Sequence, residues 1–195
     1  MRPPLRAIGQ SCFVELPHFR YHPDPAATRM LVASEGTCVV CRHARGFLYT
    51  GVPYSEEEID EESICPWCIA DGSAHEKLGA EFTDAASIGS GLVGTGPVSP
   101  EITEEIAFRT PCFSGWQNEC WFTHCDDGAA FLGVMGGREL SGAGPEAIAA
   151  VQESTGLADE SWNEFFAVLD RERSPAAYLF RCLHCGRFGG YTDAD

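Results

Sequence analysis

The sequence lacks any long hydrophobic run and any excess of positive charge. No stretch of about 18 apolar residues occurs among the 195 residues, so we expect no membrane span. Residues 1–10 contain no apolar segment of the kind that a secretory signal has. Lysine and arginine number 13 against 29 aspartates and glutamates, and the net charge of -16 would be repelled by a phosphate backbone. These absences predict a cytoplasmic protein that binds neither membranes nor nucleic acids.

The sequence also lacks a recognisable catalytic set. No serine-based nucleophile elbow occurs. The glycines of Gly136-Gly137 and Gly94-x-Gly96 are not placed between a strand and a helix, as they would be in a phosphate-binding loop. We therefore expect a protein without enzymatic activity, and the one enzymatic alternative depends on the cysteines.

Cysteine is what the sequence has in excess. It contains ten cysteines, more than a protein of this length in a reducing compartment usually carries, and such a compartment favours metal ligation over disulfides. Six of them form Cys-x-x-Cys pairs, a spacing at which two thiolates can bind one ion from a single tight turn. The pairs are Cys38/Cys41, Cys65/Cys68 and Cys182/Cys185.

The first two pairs predict one structural zinc site. Their spacing matches, with a slightly long spacer, two Cys-x-x-Cys pairs that close a tetrahedral site. We expect a treble-clef-like module with a knuckle at Cys38–Cys41, a strand at 47–52, and a helix that begins at Cys65 and runs to about Lys77. Four buried thiols without metal are one alternative. A thiol–disulfide active site at Cys65-Pro66-Trp67-Cys68 is another, but an acidic run precedes that motif where a buried strand is expected.

A second zinc site is predicted around the third pair. We expect Cys182 and Cys185 to share an ion with Cys125, whose sulfur should lie within about 4 Å of theirs. His124 is the predicted fourth ligand, although it can bind the same ion as its neighbour only if the backbone bends there. His184 is an alternative fourth ligand, and a thiol pair without metal stays open as well. The cysteines without a pairing pattern are interpreted as small buried hydrophobic residues: Cys12, Cys112 and Cys120.

Composition divides the chain into four segments. Residues 1–15 are predicted to be a flexible tail, 16–85 the treble-clef-like zinc module, 86–100 a linker rich in glycine, serine and proline, and 101–195 an α+β part. The predicted fold class is therefore α+β, with the second part closed by the C-terminal Cys-x-x-Cys cluster. Further predicted elements are an extended, strand-like stretch at 16–25, a helix from Ser99-Pro100 to near Thr110, helices at about 145–153 and 159–170, and strands at 131–135 and 177–181.

A set of short motifs resembles the CbrC family from about residue 16 to the C-terminus. The block from Cys65 to Ser73 is the longest and most specific of them. The resemblance implies a largely uncharacterised bacterial family with no established catalytic activity, whose named member is associated with tolerance to an E-type colicin. The motifs are Tyr21-His22-Pro23-Asp24-Pro25, Tyr49-Thr50-Gly51, Tyr54-Ser55-Glu56-Glu57-Glu58, Cys65-Pro66-Trp67-Cys68-Ile69-Ala70-Asp71-Gly72-Ser73-Ala74, Arg109-Thr110-Pro111, Gly115-Trp116-Gln117, His124-Cys125 with Asp127, and Tyr178-Leu179-Phe180-Arg181-Cys182-Leu183-His184-Cys185-Gly186.

The chain departs from the family pattern at two positions that matter for metal. Relatives carry glycine where this chain has Cys112, and some carry cysteine where it has Ala129. If that cysteine binds metal in relatives, the second site here is one ligand short, and His124 becomes more important. Cys12 and Cys120 also fall outside the pattern.

Two functions of different classes follow from these observations. The first is a zinc-stabilised, non-enzymatic module that binds a protein partner, and the acidic run at 56–62 is either a solvated face or a docking surface for a basic partner. The second is a zinc-dependent, nuclease-like hydrolase that uses an open second site with His124. Four protein ligands at that site would favour a structural role, and three would favour catalysis.

Overall fold

The fold is mixed α+β and contains two antiparallel sheets. The computed structural model describes residues 15–115 and 119–193. In chain order the elements are β1 Leu31–Ser34, β2 Gly46–Tyr49, α1 Pro66–Ala70, α2 Ser73–Leu78, a 3-10 turn at Ala85–Ser87, α3 Pro100–Arg109, β3 Thr123–His124, β4 Asp127–Met135, α4 Gly137–Ala143, α5 Pro145–Thr155, α6 Asp159–Val168, β5 Ala176–Cys182 and β6 Phe188–Asp193. Strands β1 and β2 form one sheet, and β3-β4-β5-β6 form the other, each strand antiparallel to the next.

The first described residues, 15–25, lie against strand β4 of the larger sheet without forming a strand. Phe19 and Tyr21 are buried and Arg20 between them is exposed, as the sequence pattern indicates. Residues 16–25 nevertheless form no strand, so the strand-like part of that prediction is wrong. The carbonyl of Tyr21 accepts one hydrogen bond from the Phe131 amide, and the chain then turns at 25–29. The proline-rich sequence cannot supply a ladder of amide donors.

His22 links this segment to the core as a neutral imidazole. It is fully buried, one ring nitrogen lies 2.7 Å from the Pro111 carbonyl oxygen, and the other lies 2.7 Å from the Thr28 hydroxyl. A carbonyl oxygen can only accept, so Nδ1 donates to Pro111 and Nε2 accepts from Thr28. Burial lowers the pKa of His22 to about 4. The hydrogen bond to the Pro111 carbonyl raises the pKa and so opposes part of this shift.

The state of His22 predicts a specific loss of stability in acid. Because its pKa is about 6.5 when unfolded and about 4 when folded, its contribution is complete above pH 6.5 and is lost as the pH falls through 4. The contribution is about 3 kcal/mol. In denaturant titrations the wild type should lose about 1 kcal/mol more per pH unit near pH 5 than His22→Gln does. Parallel pH profiles for the two proteins would contradict this assignment.

The first sheet and the helices after it surround the first two cysteine pairs. The chain leaves β1, turns through Cys38–Cys41, and returns along β2, so that the knuckle lies at the tip of a hairpin. The single helix predicted from Cys65 to about Lys77 is wrong, because it is broken into α1 and α2. Gly72 breaks it with φ of 80°, a left-handed conformation that glycine adopts without a steric penalty.

Both faces of the larger sheet are buried, and alternate residues of its inner strand β5 contact a different apolar cluster on each face. Tyr178 and Phe180 contact an aromatic cluster that includes Phe113 and Phe131. Ala177 and Leu179 point to the opposite face, where α4, α5 and α6 cover the sheet with a second apolar cluster. The members of that cluster are Leu140, Ala147, Val151, Trp162, Leu169, Ala177 and Leu179. The predicted helices near 145–153 and 159–170 correspond to α5 and α6.

One hydrophobic core reaches from the first hairpin to the larger sheet. The same cluster contains Leu48, Ile69, Ile106, Trp121 and Phe180. The stretch predicted as a linker, 86–100, begins in the 3-10 turn, and Ile88 within it is buried and forms a bridge to Trp121. Among the described residues, no helix is both long and apolar enough to span a bilayer. The tail predicted at 1–15 lies outside the described residues except for Glu15, as do Cys12 and the Trp116-Gln117 part of one family motif.

Candidate metal centres

The first cluster joins Cys38, Cys41, Cys65 and Cys68 at one point between the hairpin and α1. Cys38 Sγ lies 3.9 Å from Cys68 Sγ, and Cys41 Sγ lies 3.8 Å from Cys65 Sγ. All four sulfurs are within 4.8 Å of one another. A tetrahedral ion with metal–sulfur bonds of about 2.3 Å has edges of about 3.8 Å, so the spacing fits a tetrahedral thiolate site.

Local backbone structure holds these sulfurs in position. At the knuckle, the Cys38 amide donates to His43 and the Arg42 amide returns to the Cys38 carbonyl, which closes a tight turn. Pro66 stands at the first position of α1, where a missing N–H costs nothing. The Cys65 amide also donates to the Cys38 sulfur at 3.3 Å, a contact that links the two pairs and stabilises negative charge on that sulfur.

The environment of the first cluster favours negative charge on Cys38. The hydrogen bond from the Cys65 thiol lowers the pKa of Cys38 to about 4, and that same thiol–thiol contact, followed by burial, raises the pKa of Cys65. Burial raises the pKa of Cys68 to about 11. Burial opposes further negative charge in this cluster, whereas a divalent cation would favour ionisation of all four cysteines. The donor set therefore suits a soft, thiolate-binding metal.

The second cluster lies where two hairpins of the larger sheet meet. His124 ends β3, and Cys125 with Asp126 forms the two-residue turn into β4. Both turn residues have positive φ, 56° and 58°, which bends the backbone enough to bring the adjacent His124 and Cys125 side chains together. Cys182 ends β5. Cys185 lies in the turn between β5 and β6.

Four candidate ligand atoms meet in the second cluster. His124 Nδ1 lies 3.2 Å from Cys125 Sγ and 3.5 Å from Cys185 Sγ, and these atoms and Cys182 Sγ all lie within 4.8 Å of one another. Burial alone would raise the pKa of Cys182, but the amides of Cys185 and His184 outweigh it, and the pKa falls to about 6. This sulfur is therefore readily available as a thiolate ligand.

His184 is directed away from the cluster, although it lies between two of its cysteines. Its Nε2 is 2.7 Å from Oδ2 of Asp127. The structure thus groups His124, and not His184, with the three cysteines. Ala129 is opposite Cys182 in the β4–β5 register. The cluster of this chain has four candidate ligands without a cysteine at that position.

Asp127 is a buried carboxylate that the sequence shows only as part of a family motif. Its side chain is 4% exposed and contacts Arg20 as an ion pair, while Oδ1 accepts from the Tyr21 hydroxyl at 2.7 Å. Burial alone would raise the pKa of Asp127, but the hydrogen bonds from Tyr21 and His184 and the charge of Arg20 lower it. Asp127 thereby connects the N-terminal segment to the β5–β6 turn. Its side-chain partners are over 50 residues away in sequence, so spacing could not reveal them.

The two clusters differ in exposure. Cys38, Cys65 and Cys68 are almost completely buried and Cys41 is half-buried. In the second cluster Cys182 is buried, while Cys125 and Cys185 are exposed. Within the described part of the chain, these are the groups whose side chains could hold a metal ion. Cys112 is buried in the core and Cys120 is half-buried, and both lie outside the two clusters.

Fold and clusters together define an α+β protein with two cysteine-rich groups that could hold metal ions. The chain belongs to the uncharacterised protein family UPF0167, whose sequence model matches residues 16–194. It is 46% identical over 182 residues to the UPF0167 protein Mb2317 of Mycobacterium bovis, covering 92% of this chain and 94% of the relative. It is 41% identical over 172 residues to the UPF0167 protein PA1536 of Pseudomonas aeruginosa, covering 88% and 93%. No solved structure matches the chain.

Proposed function

We propose that the protein is a zinc-stabilised, non-enzymatic module that binds a protein partner. The observation that carries the proposal is that each cluster supplies four ligand atoms within 4.8 Å of one another. Four protein ligands complete a tetrahedral coordination sphere and leave no position for a substrate or an activated water. Zinc is the metal favoured by donor sets of four cysteines, or of three cysteines and one histidine.

Zinc in the first cluster would hold together an N-terminal treble-clef-like module. A hairpin whose turn carries one Cys pair, followed by a helix whose first turn carries the other, supports that description. We also propose that residues 16–85 and 101–195 act as two parts that are joined through 86–100 and share the core. The motifs quoted above support a further proposal, that CbrC and UPF0167 describe the same family, with a link to colicin tolerance or stress.

A surface beside the first cluster is suited to a basic protein partner. Its acidic residues are exposed, and the apolar side chains of Val52 and Tyr54 next to them are 59% and 51% exposed. Exposed apolar groups beside concentrated charge are typical of a protein interface, where opposite charge speeds association and salt weakens it. The acidic residues are Glu56, Glu57, Glu58, Asp60, Glu61 and Glu62.

The alternative, a nuclease-like zinc hydrolase, requires an open second site and a nucleic-acid substrate. Three observations disfavour it: His124 completes a set of four ligands, His184 is held by Asp127, and the chain carries a net charge of -16. A protein that neutralises no phosphates gains nothing from counterion release.

Titration with nucleic acid separates the two functions. We expect no binding of fluorescent random duplex or single-stranded DNA or RNA in the micromolar range at about 150 mM salt, where the Debye length is roughly 8 Å. We also expect no cleavage of these strands by the zinc-loaded protein. Micromolar binding or zinc-dependent cleavage would overturn the proposal in favour of the hydrolase.

The partner surface is tested with a charge-neutralised variant. Glu57→Gln, Glu58→Gln and Glu61→Gln together should leave zinc content and melting temperature unchanged, because these residues are exposed. A partner captured by the wild type and identified by mass spectrometry should bind the purified variant at least about tenfold more weakly. Equal affinity of wild type and variant for that partner would exclude this surface as the interface.

A further inference from the structure

We infer that the second cluster is an exchangeable, thiol-reactive metal centre: a hydroperoxide oxidises Cys125 and Cys185 to a disulfide, and the ion is released while the first cluster keeps its own. This inference rests on the proposed function, because it requires zinc in both clusters. It goes beyond that function by assigning the two sites different roles, a permanent one to the first and a responsive one to the second.

Exposure of the sulfurs is the first observation behind this difference. Three of the four sulfurs of the first cluster belong to residues that are 0–1% exposed. In the second cluster two of the three cysteines, Cys125 and Cys185, are exposed. A thiolate is the reacting form of cysteine, and a metal-bound thiolate reacts only where a reagent can approach it. Beyond the half-buried Cys41, reaction at the first cluster therefore needs local opening of the core, whereas reaction at the second needs none.

Open clefts border the second cluster on two sides. One of about 190 Å³ is lined by Gly96, Thr123, His124, Cys125 and Asp126, among others. Another of about 450 Å³ reaches Cys185 between α5 and the β5–β6 turn. A small reagent can thus approach each of the two exposed sulfurs from solvent.

The charges around these clefts favour a neutral reagent. Asp126 borders the first cleft, and Glu146 and Glu153 border the second. Arg187 is the basic residue in the lining of the second cleft, and it is paired with Glu153 at 3.3 Å. Anionic oxidants and anionic chelators are repelled by such a surface, whereas hydrogen peroxide is not.

The proposed oxidation proceeds in two steps that balance. The Cys125 thiolate attacks one oxygen of hydrogen peroxide, so that a sulfur–oxygen bond forms, the oxygen–oxygen bond breaks, and hydroxide leaves as water after taking a proton from solvent. The Cys185 thiolate then attacks the Cys125 sulfur, so that the disulfide forms, the sulfur–oxygen bond breaks, and hydroxide leaves as a second water after taking another proton from solvent. Two thiolates lose two electrons, and the peroxide is reduced to two waters. Only Cys182 and His124 remain as ligands, which is too few to retain zinc.

The fold can survive this release. The β3–β4 and β5–β6 hairpins belong to the four-stranded sheet, and the contact between His184 and Asp127 ties the β5–β6 turn to β4 independently of metal. Release from the second cluster is therefore expected to be reversible by a thiol reductant and fresh zinc. This is the behaviour of a switch and not of a structural site.

The test follows zinc release from the intact, zinc-loaded chain. Hydrogen peroxide is added in the presence of a neutral chromophoric zinc indicator, and disulfides are located by peptide mass spectrometry. We expect one of two zinc equivalents to appear at least about tenfold faster than the other, since the second requires local opening. The peptides that carry Cys125 and Cys185 should become linked, the near-UV circular dichroism of the core should persist, and dithiothreitol with zinc should restore the starting state.

The matched control is Cys185→Ser, which removes one exposed sulfur and leaves the first cluster intact. This variant should bind one zinc and show no fast phase and no linked peptide. Release of both ions at one rate from a chain that binds two, or a Cys182–Cys185 link in place of the expected one, would overturn the inference and leave the proposed function standing. A chain that binds no zinc under reducing conditions would refute the proposed function itself.

Discussion

Replacing Cys65 with serine is expected to remove one zinc ion per chain and to unfold the region around the first cluster. Cys65 is completely buried, is the N-cap residue of α1, and donates its amide hydrogen to the Cys38 sulfur. A serine hydroxyl there is a poor ligand, and it would leave Cys38, Cys41 and Cys68 without their common ion. Since the binding free energy of a structural zinc is folding free energy, the loss should exceed about 5 kcal/mol, which is comparable with the total stability of many domains.

The measurement is metal content together with thermal unfolding. We expect zinc to fall from two ions to one and the melting transition to shift strongly or split, because β1, β2, α1 and α2 share the core with the larger sheet. The matched control is Cys120→Ala, which changes a half-buried cysteine outside both clusters and should keep both ions. Full zinc content with an unchanged melting temperature in the Cys65 variant would mean that the first cluster is not a structural metal site.

Replacing Asp127 with asparagine is expected to destabilise the protein by about 3 kcal/mol without removing either metal. Asp127 is buried and accepts contacts from Arg20, Tyr21, His184 and the Gly128 amide. An asparagine side chain lacks the negative charge that faces Arg20. Its NH2 group is also a donor, and it would face groups that donate to the carboxylate in the wild type. Arg20 is partly exposed and can be solvated instead, so most of the cost comes from the buried contacts.

Tyr21→Phe provides the graded comparison for Asp127. It removes one hydrogen bond and keeps the ring in its packed position, so the expected loss is about 1 kcal/mol. Denaturant titrations of both variants and of the double variant should show that the two losses are not additive, because the residues share one network. Independent, additive effects, or a loss of zinc in the Asp127→Asn variant under reducing conditions, would contradict the role that the structure gives to this carboxylate.

The parts of the fold that could be predicted are those in which local signals act alone. Helix α3 begins at Ser99-Pro100, where a cap residue precedes proline at the first position, and α6 shows an apolar face around Trp162. Strand β5 is apolar from Ala176 to Phe180 because both of its faces are buried there. In each case the pattern and the tertiary environment demand the same structure.

The elements that were missed depend on distant contacts. Helix α4 begins at Gly137, which local propensity disfavours, and the Gly137 amide donates to the carbonyl of Leu169, the residue that follows α6. Strand β6 contains Gly189, where a Cβ atom would meet the Phe122 ring at 2.2 Å. Glycine in a sequence usually indicates a turn, but here it is required by close packing against an aromatic ring.

The candidate sites were likewise predictable only in part, where local sequence signals are sufficient. Cys-x-x-Cys spacing alone points to ligand pairs. The structure brings the first two pairs together in one cluster and places the third pair beside Cys125 in the other. The choice between His124 and His184 could not be made from sequence, because it depends on the turn at Cys125-Asp126 and on Asp127, a contact partner 57 residues from His184. Positive φ at two adjacent residues other than glycine is a signal that only coordinates provide.

The most direct test of the two metal centres is zinc content combined with zinc X-ray absorption on the reduced, full-length protein. We expect two zinc ions per chain whose ligands together are seven sulfurs and one imidazole nitrogen, from Cys38, Cys41, Cys65, Cys68, Cys125, Cys182, Cys185 and His124. The sulfur shell should lie near 2.3 Å and the weaker nitrogen contribution near 2.0–2.1 Å, both being about the usual zinc bond lengths. Zinc well below one ion per chain, or a first shell dominated by oxygen, would contradict the claim that these clusters are closed metal centres.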